Sequence, residues 1–136
     1  MYKKILVPID LTHQEKGKAM IGVASQVKDA GGDIILATVV PDIPPYVVSD
    51  LPAGFFDNQL TDALSELKAI ANAAGIGGRV IARSGHPANT IMAIAEEEEC
   101  DLIIIASHRP GLQDYFLGST AARVVRHAKC SVLITR

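Results

Sequence analysis

A chain of 136 residues with 49% hydrophobic and 21% charged side chains has the size and balance of one folded domain; it is too short for two cores and too apolar for wholesale disorder. Only 4% is aromatic, so the expected core is aliphatic, as in the continuous apolar strands of a parallel sheet. The formal net charge of -2 leaves no basic field to hold a nucleic-acid backbone, and no apolar run approaches the roughly 20 residues that cross a bilayer. Cys100 and Cys130 lack the spacing of a zinc site and read as buried free thiols in a reducing compartment. With MYKKILVPID read as a strand rather than a leader, the expected location is cytoplasmic, without nucleic-acid partners or membrane insertion.

In chain order, Ile5 to Ile9 is a β-branched apolar run that ends at Asp10. Thr12-His13-Gln14-Glu15 has the T-x-x-E form of a capping box and predicts a helix start. Met20, Val23, Ala24 and Val27 give that helix its apolar stripe, and Gly31-Gly32 is expected to end it. Asp33 to Val40 is a second strand, closed by Pro41. Residues 41–56 fit neither a helical nor an alternating period, and a connection that long predicts a cover or contact loop. Leu64, Leu67, Ile70 and Ala71 mark a second helix that stops at Gly75, and Arg79 to Arg83 a short third strand whose flanking arginines suit a sheet edge.

Pro87 sits at the first position of a third helix with Ile91, Ile94 and Ala95 on its buried face. The acidic run Glu96 to Glu99 opposes the dipole at the end of that helix and is expected to fray into solvent. Asp101 to Ala106 is the most apolar strand and is expected at the centre of the sheet. A loop from Ser107 to Leu117 leads into Gly118-Ser119-Thr120 and a last helix spaced by Ala121, Val124, Val125 and Ala128; Ser131 to Thr135 is the fifth strand.

Five strands interleaved with four helices define an α/β fold: a doubly wound five-stranded parallel sheet of order 3-2-1-4-5, helices on both faces, one domain over residues 1–136. The winding then reverses between the first and fourth strands, and a ligand crevice is expected beyond their C-terminal ends, at Asp10 and Ser107-His108. Gly118-Ser119-Thr120 opens a helix whose unpaired N–H groups and positive dipole end suit an anion. Taken alone, the same residues equally suit Ser119 as a simple helix cap, Asp10 as a helix-start residue and Val39 as core.

YKKILVPID, the second-strand TVVP, the SGHP turn and IIIASHRPGLQDYFLGSTAARVVRHAKCSVLITR resemble, in order and spacing over essentially the whole length, the universal stress protein family, in its UspA-like subgroup with an ASHRP…LGS nucleotide motif. The family motif is a glycine, two residues, a glycine, nine residues, then Gly-Ser or Gly-Thr. Here Ala106 and Arg109 stand at the first two glycine positions, and eight residues separate Arg109 from Gly118. The departure replaces close backbone approach with a guanidinium that can pair bidentately with phosphate, although a loop arginine is also commonly solvated. The resemblance implies that Pro8, Ile9 and Asp10 meet the nucleoside, Asp10 at the ribose or a metal-bound water, and that Val39 holds adenine through its backbone. It implies that Ala106, Ser107 and His108 line the ribose and phosphates, and that Arg109, Gly118, Ser119 and Thr120 hold the phosphates. The implied cofactor is ATP, or AMP or ADP, with Mg²⁺ bound through the phosphates; the implied partner is a second copy through strand 131–135, or a higher symmetric oligomer.

The chain contains neither G-x-x-x-x-G-K-[ST] nor a G-x-G-x-x-G after a strand. One carboxylate and one histidine without an evident paired base suit holding a nucleotide better than turning it over, so the expected role is a nucleotide-gated stress-response regulator with at most slow hydrolysis. A dimeric scaffold of the same fold that binds no nucleotide is the alternative. A receiver-like module would need an acidic pair where Ile9 precedes Asp10, and a lysine that is missing after Cys130.

Overall fold

The computed structural model describes residues 1–42, 44–48, 50–107 and 117–136. Strand β1 spans Tyr2–Pro8, helix α1 Gln14–Val27, β2 Lys28–Val40, the short helix α2 Pro45–Val48, α3 Phe55–Ala73 and β3 Val80–Ser84. Helix α4 spans Pro87–Glu97, β4 Leu102–Ala106, α5 Ser119–His127 and β5 Ser131–Thr135. The strands form one parallel sheet in the order β3-β2-β1-β4-β5.

Alternation along the strands sends apolar side chains to both faces, and both faces are covered. Ile5, Val7, Leu36 and Ile104 pack with Met20 and Ala24 of α1 and Leu67 and Ile70 of α3. Leu6, Ile35, Ile103 and Ile105 pack on the other face with Ile91 and Ile94 of α4 and Ala121 and Val124 of α5. Each large side chain taken wholly from water contributes about 1.5–3 kcal/mol, which is why the central strands read as unbroken apolar runs rather than alternating ones. From β1 the chain steps outward through β2 to β3, then α4 carries it back across the opposite face to β4 on the far side of β1. The winding therefore reverses between β1 and β4.

The structure departs from the sequence expectation mainly at helix ends. The Thr12 capping box does not form: α1 starts at Gln14 after His13, with no side-chain cap, because Thr12 is committed to the Asp10 carboxylate. Gly31-Gly32 does not end α1, which stops at Val27. The pair lies within β2, where the register slips between Tyr2↔Lys28 and Lys4↔Asp33, and Gly31 takes the φ of +78° that a side chain would resist. The region 41–56 is less loop-like than expected, since it holds α2 and the first two residues of α3.

The acidic run does not fray freely. Glu96 pairs with Lys129 at 2.7 Å, Glu97 with Arg83, and Glu98 with Arg79 at 2.5 Å. The Arg83 guanidinium also holds the Glu97 carboxyl below its usual pKa. After the last turn, Glu99 takes a left-handed φ of 57°, and the Cys100 and Glu99 N–H groups donate back to Ala95 and Glu96 at 2.8 and 3.1 Å, closing the helix as a Schellman motif. These bonds supply α4 with the finish that its own dipole opposes.

Candidate functional site

The C-terminal end of β1 is held by hydrogen bonds in series. Beyond Pro8, which is buried, the Ile9 N–H donates to the Ala37 carbonyl at 2.7 Å and the Ile9 carbonyl accepts from the Thr38 hydroxyl at 2.9 Å. The chain then turns: the His13 N–H donates to the Asp10 carbonyl at 2.9 Å, while Asp10 Oδ1 accepts from both the Thr12 N–H at 3.0 Å and the Thr12 hydroxyl at 2.6 Å. Two donors on one oxygen hold the exposed Asp10 carboxylate in a set orientation. Helix α1 reaches this corner because it presents Gly17 to Ile9; a Cβ there would lie 3.0 Å from Ile9 Cγ2.

Val39 follows in β2, in register with Arg83 of β3. Leu36 and Val40 turn their backbone toward the β3 side, through the bonds from the Leu36 N–H to Arg79 and from Gly85 to the Val40 carbonyl. Ala37 turns the other way, to Ile9. By the same two-residue alternation, Val39 directs its N–H and C=O toward the β1 side, past the end of that strand.

On the other side of the winding reversal, Leu6 of β1 is in register with Ile103 of β4, and Asp10 and Ser107 each follow four residues further along their own segments. Ala106 is half-buried and in register with Thr135 of β5. Ser107, only 4% exposed, donates its N–H to the Thr135 carbonyl at 2.7 Å and accepts from the Gly118 N–H at 2.6 Å. One residue thus ties β4, β5 and the start of α5 together.

Gly118 is the N-cap of α5, with no side-chain cap hydrogen bond, and its carbonyl accepts the Ala122 N–H at 2.9 Å. Ser119 is accordingly the first helical residue and not the cap of its own helix. It is exposed, and Thr120 is half-buried. The first-turn N–H groups of a helix have no intrahelical acceptor, so α5 presents its positive end beside Ser107. The fold therefore brings Pro8, Ile9, Asp10, Val39, Ala106, Ser107, Gly118, Ser119 and Thr120 to the same end of the sheet, where the strands finish. His108 and Arg109 lie outside the described residues. Sequence reading passed over Thr38; the signal was a hydroxyl in the otherwise apolar run Ile34 to Val40.

The opposite end of the sheet has a different chemistry. A groove of about 270 Å³ between the ends of α4 and α5 is lined by Met92, Cys100, His127, Lys129 and Cys130 among others. Burial, with Cys130 nearby, pushes the Cys100 thiol up to about 11, so it stays protonated and is a poor nucleophile near neutral pH. Cys130 is half-buried rather than buried as expected. Among the described residues no group of three His, Cys, Asp or Glu side chains is arranged to hold a metal ion, and no helix is long and apolar enough to cross a membrane.

Comparison with known proteins identifies the family. The model of the universal stress protein family matches residues 1–136. A universal stress protein of Methanocaldococcus jannaschii is 32% identical over 147 aligned positions, which cover all of this chain and 83% of that protein. Among solved structures, the hypothetical protein MJ0577 superposes with a TM-score of 0.78 at 27% identity, covering 99% of this chain and 96% of its own. A universal stress protein in complex with cAMP superposes with a TM-score of 0.61 at 25% identity, covering 99% and 97%. Matched along its whole length by the family model, the chain belongs to the universal stress protein family.

Proposed function

We propose that the chain is a single-domain cytoplasmic protein that binds an adenine nucleotide, ATP foremost, across the crevice between β1 and β4, and acts as a nucleotide-gated regulator in the stress response. The observation that carries this reading is the pairing of an oriented Asp10 carboxylate with the α5 helix start at Gly118, on either side of Ser107. Such a helix start attracts phosphate through its N–H groups and about half a positive charge. Gly118 has no side chain to hold the phosphates off the backbone, Ser119 and Thr120 add hydroxyl donors, and Arg109 adds a guanidinium. Asp10 accepts a ribose hydroxyl, Val39 meets the adenine edge with its backbone, and Pro8, Ile9, Ala106, Ser107 and His108 wall the nucleoside and first phosphate. The cAMP complex of a relative supports the adenine base.

Mg²⁺ fits only as a passenger on the phosphates, with water between it and Asp10, since no carboxylate cluster is present among the described residues to cage it. One carboxylate without a paired base suits retention of the nucleotide, with slow hydrolysis at most. Calorimetry with ATP, ADP, AMP and GTP tests the reading. Binding of ATP in preference to GTP is expected; no heat and no thermal shift with any adenine nucleotide overturns it in favour of an empty scaffold.

We also propose that two copies pair antiparallel through β5. That strand is a sheet edge whose Val132, Leu133 and Ile134 are only half-buried, with no charge inside it, whereas the other edge, β3, carries Arg83 and is preceded by Arg79. A two-fold axis lets one such edge satisfy its own copy. Thr135 gives its carbonyl to the β4 side, at Ser107, so Ile134 turns its N–H outward. Sedimentation is expected to show a dimer for the wild type and a monomer for Ile134→Pro, which removes a donor at the seam. A wild-type monomer, or a folded proline variant that stays dimeric, refutes the seam.

A further inference from the structure

The parallel ladder between β1 and β2 stops one rung early. After the bond from the Ile9 N–H to the Ala37 carbonyl, a parallel ladder continues with a bond from the Val39 N–H to the Ile9 carbonyl. That rung is not among the hydrogen bonds of the described residues. The Ile9 carbonyl instead accepts from the Thr38 hydroxyl at 2.9 Å, in a buried setting. Thr38 is 6% exposed and, with Ser107, one of the two buried polar residues among those described. A buried hydroxyl at a strand end has a cost that its hydrogen bond must offset, and a valine would fill the same space without it.

We infer that Thr38 is a positioning residue for the adenine base. Its hydroxyl occupies the Ile9 carbonyl, so the Val39 N–H stays directed into the crevice instead of closing the ladder. This rests on the adenine-nucleotide reading given above. The consequence is a specificity rule. A strand residue offers its N–H and C=O on one side, and adenine answers with an N1 acceptor beside an N6 donor. Guanine offers an N1 donor beside an O6 acceptor, so donor meets donor and acceptor meets acceptor. With the rung closed, the Val39 N–H is spent on Ile9 and the discrimination is lost along with part of the affinity.

The experiment titrates adenosine, ATP and guanosine into wild type, Thr38→Val and Thr38→Ser, and follows hydrogen exchange of the Val39 amide by NMR with and without adenosine. Thr38→Val is expected to weaken adenosine and ATP by the same factor, about tenfold, because the lost contact is to the base both share. Thr38→Ser, which keeps the hydroxyl, restores binding. A folded Thr38→Val that binds adenosine as the wild type does overturns the assignment, as does a loss confined to ATP. If Thr38→Val does not fold, the wild-type amide decides: fast exchange that slows on adding adenosine supports the open rung, and an amide already as protected as that of Ala37 without ligand refutes it. A wild type that binds no adenine nucleotide sinks the functional reading itself, an outcome distinct from wild-type binding that the valine leaves untouched.

Discussion

Helices α4 and α5 lie side by side on one face of the sheet and begin at the same end of it, yet their first turns are built in opposite ways. At α4, Pro87 occupies the first turn and removes one N–H, and His86 Nδ1 accepts another from Asn89 at 3.4 Å. The Asn89 side chain is itself engaged, accepting from Arg123 Nε of α5 at 3.1 Å. At α5, Gly118 stands as a cap without a side chain, held through its N–H to Ser107 and its carbonyl to Ala122. The dipole of the two helices is the same in kind, so what separates a closed helix start from a candidate anion site is the side chain at the cap. With glycine at the cap, α5 gives up only about 0.3 kcal/mol of capping energy relative to a residue with a capping side chain.

The most forceful way to break this contrast is to give α5 a cap. Gly118 has φ −59° and ψ 156°, a conformation open to any residue, so Gly118→Asp should fit and accept from the first-turn N–H groups. It is expected to raise the melting temperature by about a degree or two while lowering ATP affinity about 100-fold, since under the proposed function a fixed carboxylate would stand against the phosphates. Calorimetry and a thermal melt on the same sample check both, and undiminished ATP binding would show that the phosphates lie elsewhere. A narrower test removes the guanidinium that the proposed function assigns to the phosphates. Arg109→Ala is expected to weaken ATP about tenfold and adenosine hardly at all, through loss of charge-assisted bonds to phosphate; equal losses for the two ligands would refute the phosphate role. The smallest effect belongs to the closed start. His86→Ala is expected to cost about 0.5 kcal/mol in denaturant unfolding, at the low end for a cap because the bond is long, and to leave ATP binding unchanged.

Much of the α/β plan was legible in the sequence for a simple reason. Residues Ile5 to Ile9 and Leu102 to Ala106 are apolar on both faces, which only interior parallel strands require, and their adjacency forces the reversal that defines the crevice. Pro87 and Gly118 announced two helix starts because their backbone preferences are local. Thr12 shows where local reading fails. The T-x-x-E pattern is present, but an ionised acceptor two residues back competes for the same hydroxyl and N–H, and takes both. The Glu96 to Glu99 run failed as a guide for the opposite reason: its partners Arg79, Arg83 and Lys129 come from the residue before β3, from β3 itself and from the turn before β5, remote in sequence.

By itself, then, the sequence determined the aliphatic core, the alternation of strands and helices, the order of the sheet and the place where its winding reverses, because burial and chain connectivity leave few other solutions. Tertiary structure alone decided which groups at those strand ends are spoken for. Thr38 is an ordinary strand residue until Ile9 of the neighbouring strand turns its carbonyl toward it, and Ser107 is an ordinary loop serine until its backbone joins Thr135 to Gly118. Hydrogen bonds between segments far apart in the chain follow distance and direction in space, and those exist only once the sheet has assembled.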